Sequence, residues 1–245
     1  MTATSSHNDQ THADSTGADN TAAGNSGVPD SVAAWEERYA EADDAIWSGN
    51  PNESLVAVVS EMTPGSVLDV GCGEGADVVW MAENGWDATG IDLSTTAIDR
   101  ARRAAESRGI SAEFAVADVS TWEPADPDRR GGFDLVTGSF LHTRLPDTRE
   151  ELLTRVAAHV TPGGALLLVS HATMPPWAAE HSEKFEHGMD HHHELVSPNG
   201  DFALLIGASP DRWEIELADT RIREVTSPSG EPAELEDAIL LARRV

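Results

Sequence analysis

Between a short apolar run and a helical pattern the chain carries Asp69-Val-Gly71-Cys-Gly73-Glu-Gly75. Three glycines at a strand-to-helix junction let the backbone lie against a ligand, and the helix beyond points its free N–H groups at the same place. A junction of this kind works where a parallel strand ends at a crevice, so it commits the chain to an α/β architecture.

The rest of the sequence fits that commitment. Ser66 to Val70 reads as a buried strand entered through Pro64-Gly65, followed by a helix to about Asn84 that Gly85 stops. Asp87 to Ile91 is a second strand, and Ser94 caps a helix that buries Ala97, Ile98, Ala101, Ala104 and Ala105 and ends at Gly109. Ala112 to Val116 and Asp134 to Gly138 supply two more strands. A helix from about Arg149 to Val160 buries Leu152, Leu153, Val156 and Val160, and Thr161-Pro-Gly-Gly164 turns into a fifth strand, Ala165 to Ser170. A short helix near Asp201 to Ile206 precedes strands at Trp213 to Leu217 and Ala238 to Ala242. No amphipathic helix separates those last two, so they pair antiparallel. The expected fold is a Rossmann-like, doubly wound sheet of seven strands, mostly parallel, with a C-terminal antiparallel hairpin. It occupies residues 31–245, and residues 1–30, almost without large apolar side chains, are read as a disordered tail.

Charge narrows the partners. The 245 residues carry 16 basic and 43 acidic side chains, a formal −27, and residues 1–30 account for only Asp9, Asp14, Asp19 and Asp30. A body this acidic repels nucleic-acid phosphates and anionic lipid. The apolar runs are too short to span a bilayer, no basic-then-apolar leader opens the chain, and Cys72 is its single cysteine, so a reducing cytoplasm is the expected compartment.

The acids around the glycine loop describe the ligand. Gly71, Gly73 and Ala76, with Asp92 downstream, also satisfy the G-x-G-x-x-A pattern of a nicotinamide site. Three positions favour another ligand. Asp69 stands where a cationic amino group would need an acid, Asp92 closes the second strand and suits a bidentate grip on ribose hydroxyls, and Asp118-Val119 offers an acceptor to an adenine amine. A ribose, an adenine and a positive end without phosphate describe S-adenosylmethionine.

With these residues the sequence resembles the class I methyltransferases. Val67-Leu-Asp-Val-Gly-Cys-Gly-Glu-Gly75, Gly90-Ile-Asp-Leu-Ser94, Ala117-Asp-Val119, Phe133-Asp-Leu-Val136 and Thr161-Pro-Gly-Gly164 are similar to that family's successive motifs, in order. Trp35-Glu-Glu-Arg-Tyr39, Trp47-Ser-Gly-Asn-Pro-Asn52, Ser139-Phe-Leu-His142 and the ending from Asp211-Arg-Trp213 to Leu241-Ala-Arg-Arg244 resemble the small actinobacterial enzymes related to tellurite-resistance and thiopurine methyltransferases. The resemblance runs from about Trp35 to Arg244. It implies methyl transfer to a small-molecule acceptor, with Trp47, Asp69, Gly71, Cys72, Gly73, Asp92, Leu93, Asp118, Val119 and Ser139 around the donor. Trp35, Tyr39 and Trp47 are either a lid over the donor or core anchors of an N-terminal helix, and Cys72 is a small packing residue.

Methyl transfer from a sulfonium needs alignment and exclusion of water, and a base only when the acceptor arrives protonated. His142, just past the fourth strand, is the candidate base, with a plain hydrogen-bonding pocket histidine as the alternative. Soft sulfur, selenium or tellurium acceptors need none, and nitrogen or oxygen acceptors complete the set. His171, His181, His187, His191, His192 and His193 crowd a polar stretch without regular ligand spacing, so no metal site is expected. Residues 170–200, which also hold Trp177 and Phe185, are expected to cover the acceptor. Two other classes remain open from the residues: a nicotinamide-dependent oxidoreductase, and a non-catalytic donor-binding or metal-sensing protein.

Overall fold

The computed structural model describes residues 31–42, 45–142, 147–173, 196–227 and 230–245. The expectations for the N-terminal tail and for the histidine-rich stretch beyond Thr173 lie outside them. Strands β1 (Ser66–Val70), β2 (Asp87–Asp92), β3 (Glu113–Val116), β4 (Phe133–Ser139), β5 (Val160–His171), β6 (Trp213–Thr226) and β7 (Pro232–Arg244) form one sheet in the order β3-β2-β1-β4-β5-β7-β6. The first five run parallel, and β7 pairs antiparallel with both β5 and β6. This is the expected Rossmann-like fold, with its topological switch between β1 and β4, where open α/β sheets bind ligands.

Six α-helices are described: α1 (Val32–Glu41), α2 (Glu53–Val59), α3 (Ala76–Glu83), α4 (Thr95–Arg108), α5 (Arg149–Ala157) and α6 (Pro198–Ala208). Local chemistry sets their ends. Ser94 accepts from the Ala97 amide to start α4, and Gly109 closes it at φ +68°. Thr148 and Glu151 form a reciprocal capping box at α5. Gly75, at φ +83°, opens α3; a Cβ there would stand 2.7 Å from the Ala101 methyl and 2.9 Å from the Phe114 ring.

β1 is buried along its whole length, as expected of a central strand covered on both faces. One apolar layer joins Leu68, Ile91, Val136 and Leu166 to α5 and α6; the other joins Val67, Leu135 and Leu167 to α2 and α3. The start of β1 is tied to β4 by Asp134, which accepts from the Ser66 amide (2.8 Å) and hydroxyl (2.7 Å).

Two boundaries differ from the sequence expectation. Val160 is the first residue of β5, paired with Phe133, and α5 ends at Ala157. Gly132, at φ +105°, brings the chain so close to His159 and Thr161 that ladder pairing replaces another helical turn; a Cβ on it would meet the His159 carbonyl at 2.6 Å. The terminal hairpin is also much longer than its apolar cores, because charged residues continue the ladder from Trp213 to Thr226 against Pro232 to Arg244.

Candidate active site

The glycine loop leaves β1 at the carboxyl edge of the sheet. Gly71 (φ +73°) and Gly73 (φ +52°) adopt conformations that L side chains rarely adopt. The Gly71 and Cys72 amides both donate to the Ile91 carbonyl at 2.8 and 3.0 Å, which locks the loop to β2. Side chains at either glycine would also collide: Leu141 fills the space beside Gly71 at 2.8 Å, and the Tyr39 hydroxyl that beside Gly73 at 2.9 Å. Cys72 points to Gly90, where a Cβ would meet its Sγ at 2.8 Å. Burial pushes the Cys72 thiol well up, which keeps it protonated and suits a packing role.

Three carboxylates gather under this loop. Asp69 is 3% exposed and accepts from the Thr137 hydroxyl at 2.7 Å. Asp92 accepts from the Gly73 amide and from the Ser94 amide, both at 2.9 Å. Asp77, in the first turn of α3, accepts from the Asn52 amide (2.6 Å) and the Ser139 hydroxyl (2.8 Å). Burial raises all three above the ordinary carboxylate range, and repulsion from Asp77 adds to the rise at Asp69. Among the described residues the hydrogen-bond donors they meet are neutral.

The N-terminal segment closes over the loop. Trp47 Nε1 donates to the Tyr39 hydroxyl at 3.0 Å, directly above Gly73, and Tyr39 is buried. Glu74 holds this cover down by accepting from the Ile46 and Trp47 amides (both 3.1 Å) and from Arg100 (2.8 Å), whose other nitrogen donates to the Ala42 carbonyl at 2.6 Å. Glu36 accepts from the Ser94 and Thr96 hydroxyls at 2.7 and 2.6 Å, docking α1 on the start of α4. Trp35 and Tyr39 therefore belong to a cover and not merely to the core.

The remaining sequence-predicted residues sit as follows. Leu93 is half-buried between Asp92 and Ser94. Asp118 stands beyond β3, where Oδ1 accepts from the Ser120 amide (2.9 Å) and hydroxyl (2.7 Å), so it builds a turn. Val119 is partly buried against the apolar layer under α5, and its carbonyl meets His159 Nε2 at 3.3 Å. Ser139 ends β4, turned to Asp77. The His142 ring stacks on Trp35 with centroids 6.1 Å apart, linking the tip of β4 to the cover. Of the six clustered histidines only His171 is among the described residues.

Sequence reasoning missed Asp77, Glu74 and Arg149. Asp77 and Glu74 are acids flanking a helix N-terminus, a place where acids need no ligand to explain them. Arg149 donates to the Leu141 carbonyl (2.9 Å), to Ser170 (3.0 Å) and to both oxygens of Asp201 (2.9 and 2.7 Å), clamping the β4 loop to β5 and α6. A cavity of about 740 Å³ lies at the opposite edge of the sheet, among Met62, Trp86, Asp134, Leu217, Leu241 and Arg243, remote from these acids.

An S-adenosyl ligand fits this crevice. Its cationic groups would find carboxylates whose described hydrogen-bond donors are all neutral. No described helix is long and apolar enough to cross a membrane.

Comparison with known proteins bears on the same segment. Residues 67–164 match a family model described as a methyltransferase domain. The chain is 33% identical over 136 residues to a 2-heptyl-1-hydroxyquinolin-4(1H)-one methyltransferase of Mycobacteroides abscessus, covering 53% of this chain and 58% of that one. It is 30% identical over 116 residues to ribosomal RNA small subunit methyltransferase C of Alcanivorax borkumensis, covering 46% and 34%. The chain thus spans between a third and three fifths of the length of these relatives. A solved structure from work on conversion of a disulfide bond into a thioacetal group during echinomycin biosynthesis superposes with a TM-score of 0.67 at 26% identity, covering 87% of this chain and 92% of that one.

Proposed function

We propose, from the premise that residues 67–164 are a methyltransferase domain, that the whole chain is an S-adenosylmethionine-dependent methyltransferase acting on a small molecule. The observation that carries this reading is the trio of carboxylates beneath the glycine loop, Asp69 and Asp77 buried and Asp92 half-buried, which meet only neutral hydrogen-bond donors among the described residues. The bound donor supplies an already activated methyl group on a sulfonium. The protein's part is to hold and align. Asp92 grips the ribose hydroxyls, Asp69 faces the amino group, Asp118 takes the adenine amine, and Leu93 and Val119 flank the base. Gly71, Cys72 and Gly73 line the approach, Ser139 borders it from β4, and Trp47 with Tyr39 excludes water from above.

The acceptor is a soft sulfur, selenium or tellurium centre or a nitrogen or oxygen nucleophile. The hydroxyquinolone and the disulfide chemistry named for two similar proteins support a small organic acceptor, as does the resemblance to tellurite-resistance and thiopurine enzymes. The ribosomal RNA relative favours a nucleic-acid acceptor, which a chain of formal charge −27 would repel. Cytoplasmic residence follows from the cofactor supply this chemistry needs.

Calorimetry with S-adenosylmethionine and, separately, with a nicotinamide dinucleotide tests the reading. The expected result is binding of the first alone, weakened in Asp92→Ala by about 2–4 kcal/mol, since a charge-assisted hydrogen bond is worth roughly 1.5–3 kcal/mol and water compensates in part. Unchanged affinity in that variant, or preference for the dinucleotide, would sink the assignment.

A further inference from the structure

We propose that two copies of this chain associate through the β6 edge strand, pairing antiparallel about Asp219 so that their seven-stranded sheets become continuous. The proposal is independent of the transferase reading.

β6 stands last in the sheet order, and among the described residues no strand pairs with its outer side. Such an edge offers a row of backbone N–H and C=O groups to any strand that can approach. Folded proteins therefore keep edges short, kink them with bulges or seed them with lysine and proline. β6 runs 14 residues, against a usual length of about 5–6, and holds neither lysine nor proline. It has a bulge, but the bulge gathers its apolar side chains instead of hiding them. Ile215 and Ile222 are seven residues apart, which in a regular strand puts them on opposite faces. The register against β7 shifts between Ile215 and Leu217, which leaves Glu216 as an extra residue. Ile215 then lies opposite Ala242 and Ile222 opposite Glu236, positions on one face of β7, so both isoleucines share a face. There they are 41% and 62% exposed, with exposed Ala218 and Thr220 between them.

Charge marks the same stretch. In a chain of 16 basic and 43 acidic side chains, residues 212–223 are balanced: Glu214, Glu216 and Asp219 against Arg212, Arg221 and Arg223. A second copy is repelled everywhere that the acids dominate, so a locally neutral surface is where two copies can meet. The balance is also ordered, as Glu-Ile-Glu at 214–216 and Arg-Ile-Arg at 221–223. An antiparallel copy reads this pattern in reverse. With the two-fold axis on Asp219 and each bulge kept, Ile215 of one copy faces Ile222 of the other. Glu214 then faces Arg223, and Glu216 meets Arg221 across the bulge. Each contact occurs twice, as an isologous interface requires, and each joins apolar to apolar or acid to base. Asp219 meets its own copy at the axis, where Arg221 of the same chain already donates to it at 3.5 Å and brings a compensating charge. Glu216 keeps its ion pair with Arg243, so the interface lengthens an existing ionic row.

The test uses the full chain. Sedimentation equilibrium at about 50 µM is expected to return twice the chain mass, for a Kd on the order of 1 µM. Amide hydrogen exchange from Leu217 to Ile222 should slow as concentration rises. Ile222→Lys, at an exposed position, should give a folded monomer. Glu216→Arg and Arg221→Glu each set like charges opposite one another, and each should weaken association by about tenfold or more. Mixed in equal amounts, with one of them isotopically labelled, the two variants regain opposite charges at both contacts and should form a mixed dimer. An unfolded variant cannot give that result. A parent chain that stays monomeric overturns the proposal and leaves the edge to a different protein. A dimer that survives Ile222→Lys overturns it by placing the contact elsewhere, and failure of the mixed variants to associate overturns the pairing about Asp219.

Discussion

The two halves of the sheet bury charge in opposite ways. On the β1–β3 side, Asp69, Asp77 and Asp92 share one crevice and meet only neutral hydrogen-bond donors among the described residues. On the β4–β7 side, Arg149 is paired with Asp201 and Arg223 with Asp237, each pair inside the protein. Pairing within the chain makes buried charge a structural device. Like charges gathered in one crevice are a standing cost that a cationic ligand relieves, so these three acids, beside the paired Glu74 and Arg100, read as a binding site and the β4–β7 side as its frame.

The sharpest way to break that contrast is Arg149→Ala. It leaves Asp201, 4% exposed at its side chain, without its partner and frees the Leu141 carbonyl and Ser170 together. A loss of about 3–5 kcal/mol is expected, measured by chemical denaturation, because the abandoned carboxylate stays buried. A loss below about 1 kcal/mol would mean that the β4–β7 side does not depend on its internal pairs.

Asp69→Asn probes the other half, where the signs reverse. The Asp69 carboxyl is raised in the folded chain, so folding is penalised progressively as pH climbs from the unfolded value through the raised one. Asparagine keeps an oxygen for the Thr137 hydroxyl and removes the charge. The donor-free variant should melt several degrees higher, by calorimetric scanning, while binding S-adenosylmethionine at least tenfold more weakly, about 1.4 kcal/mol. The parent's donor affinity should also rise with pH through the raised range, and the variant should lose that part of the dependence. A variant that is both less stable and unchanged in affinity would contradict the ligand-compensation account.

Glu74→Gln is the mildest change. Ile46 and Trp47 donate to different Glu74 oxygens, so glutamine keeps an acceptor for one of the two amides and gives up the ion pair with Arg100 at 2.8 Å. A fall in donor affinity of about 1 kcal/mol is expected, with little change in melting temperature, since the cover and not the sheet is loosened. Equal effects on both would make the cover part of the core.

Legibility in the sequence followed distance along the chain. β1, β2 and α4 fell within a residue or so of their expected limits, because Gly71, Gly75, Ser94 and Gly109 act on their immediate neighbours. The acids at 69 and 92 were readable for the same reason: their strand ends lie beside the loop they serve. Asp77 was not, since an acid in a first helical turn has an ordinary explanation, and only the approach of Asn52 and Ser139 reveals it as part of the crevice.

The order of βα units, the glycine loop and the acid after the second strand were thus determined by the amino-acid sequence alone, through turn chemistry and side-chain periodicity that act over a few residues. Tertiary structure decided what the β4–β7 side is made of. Val160 became a strand because Phe133 was there to pair with it, charged residues extended the terminal hairpin because a ladder was available, and His171 came to lie 3.8 Å from Asp237 because β7 lies beside β5. Contacts of that kind join residues far apart along the chain, where no local propensity carries the information and only the closing of the sheet brings the partners together.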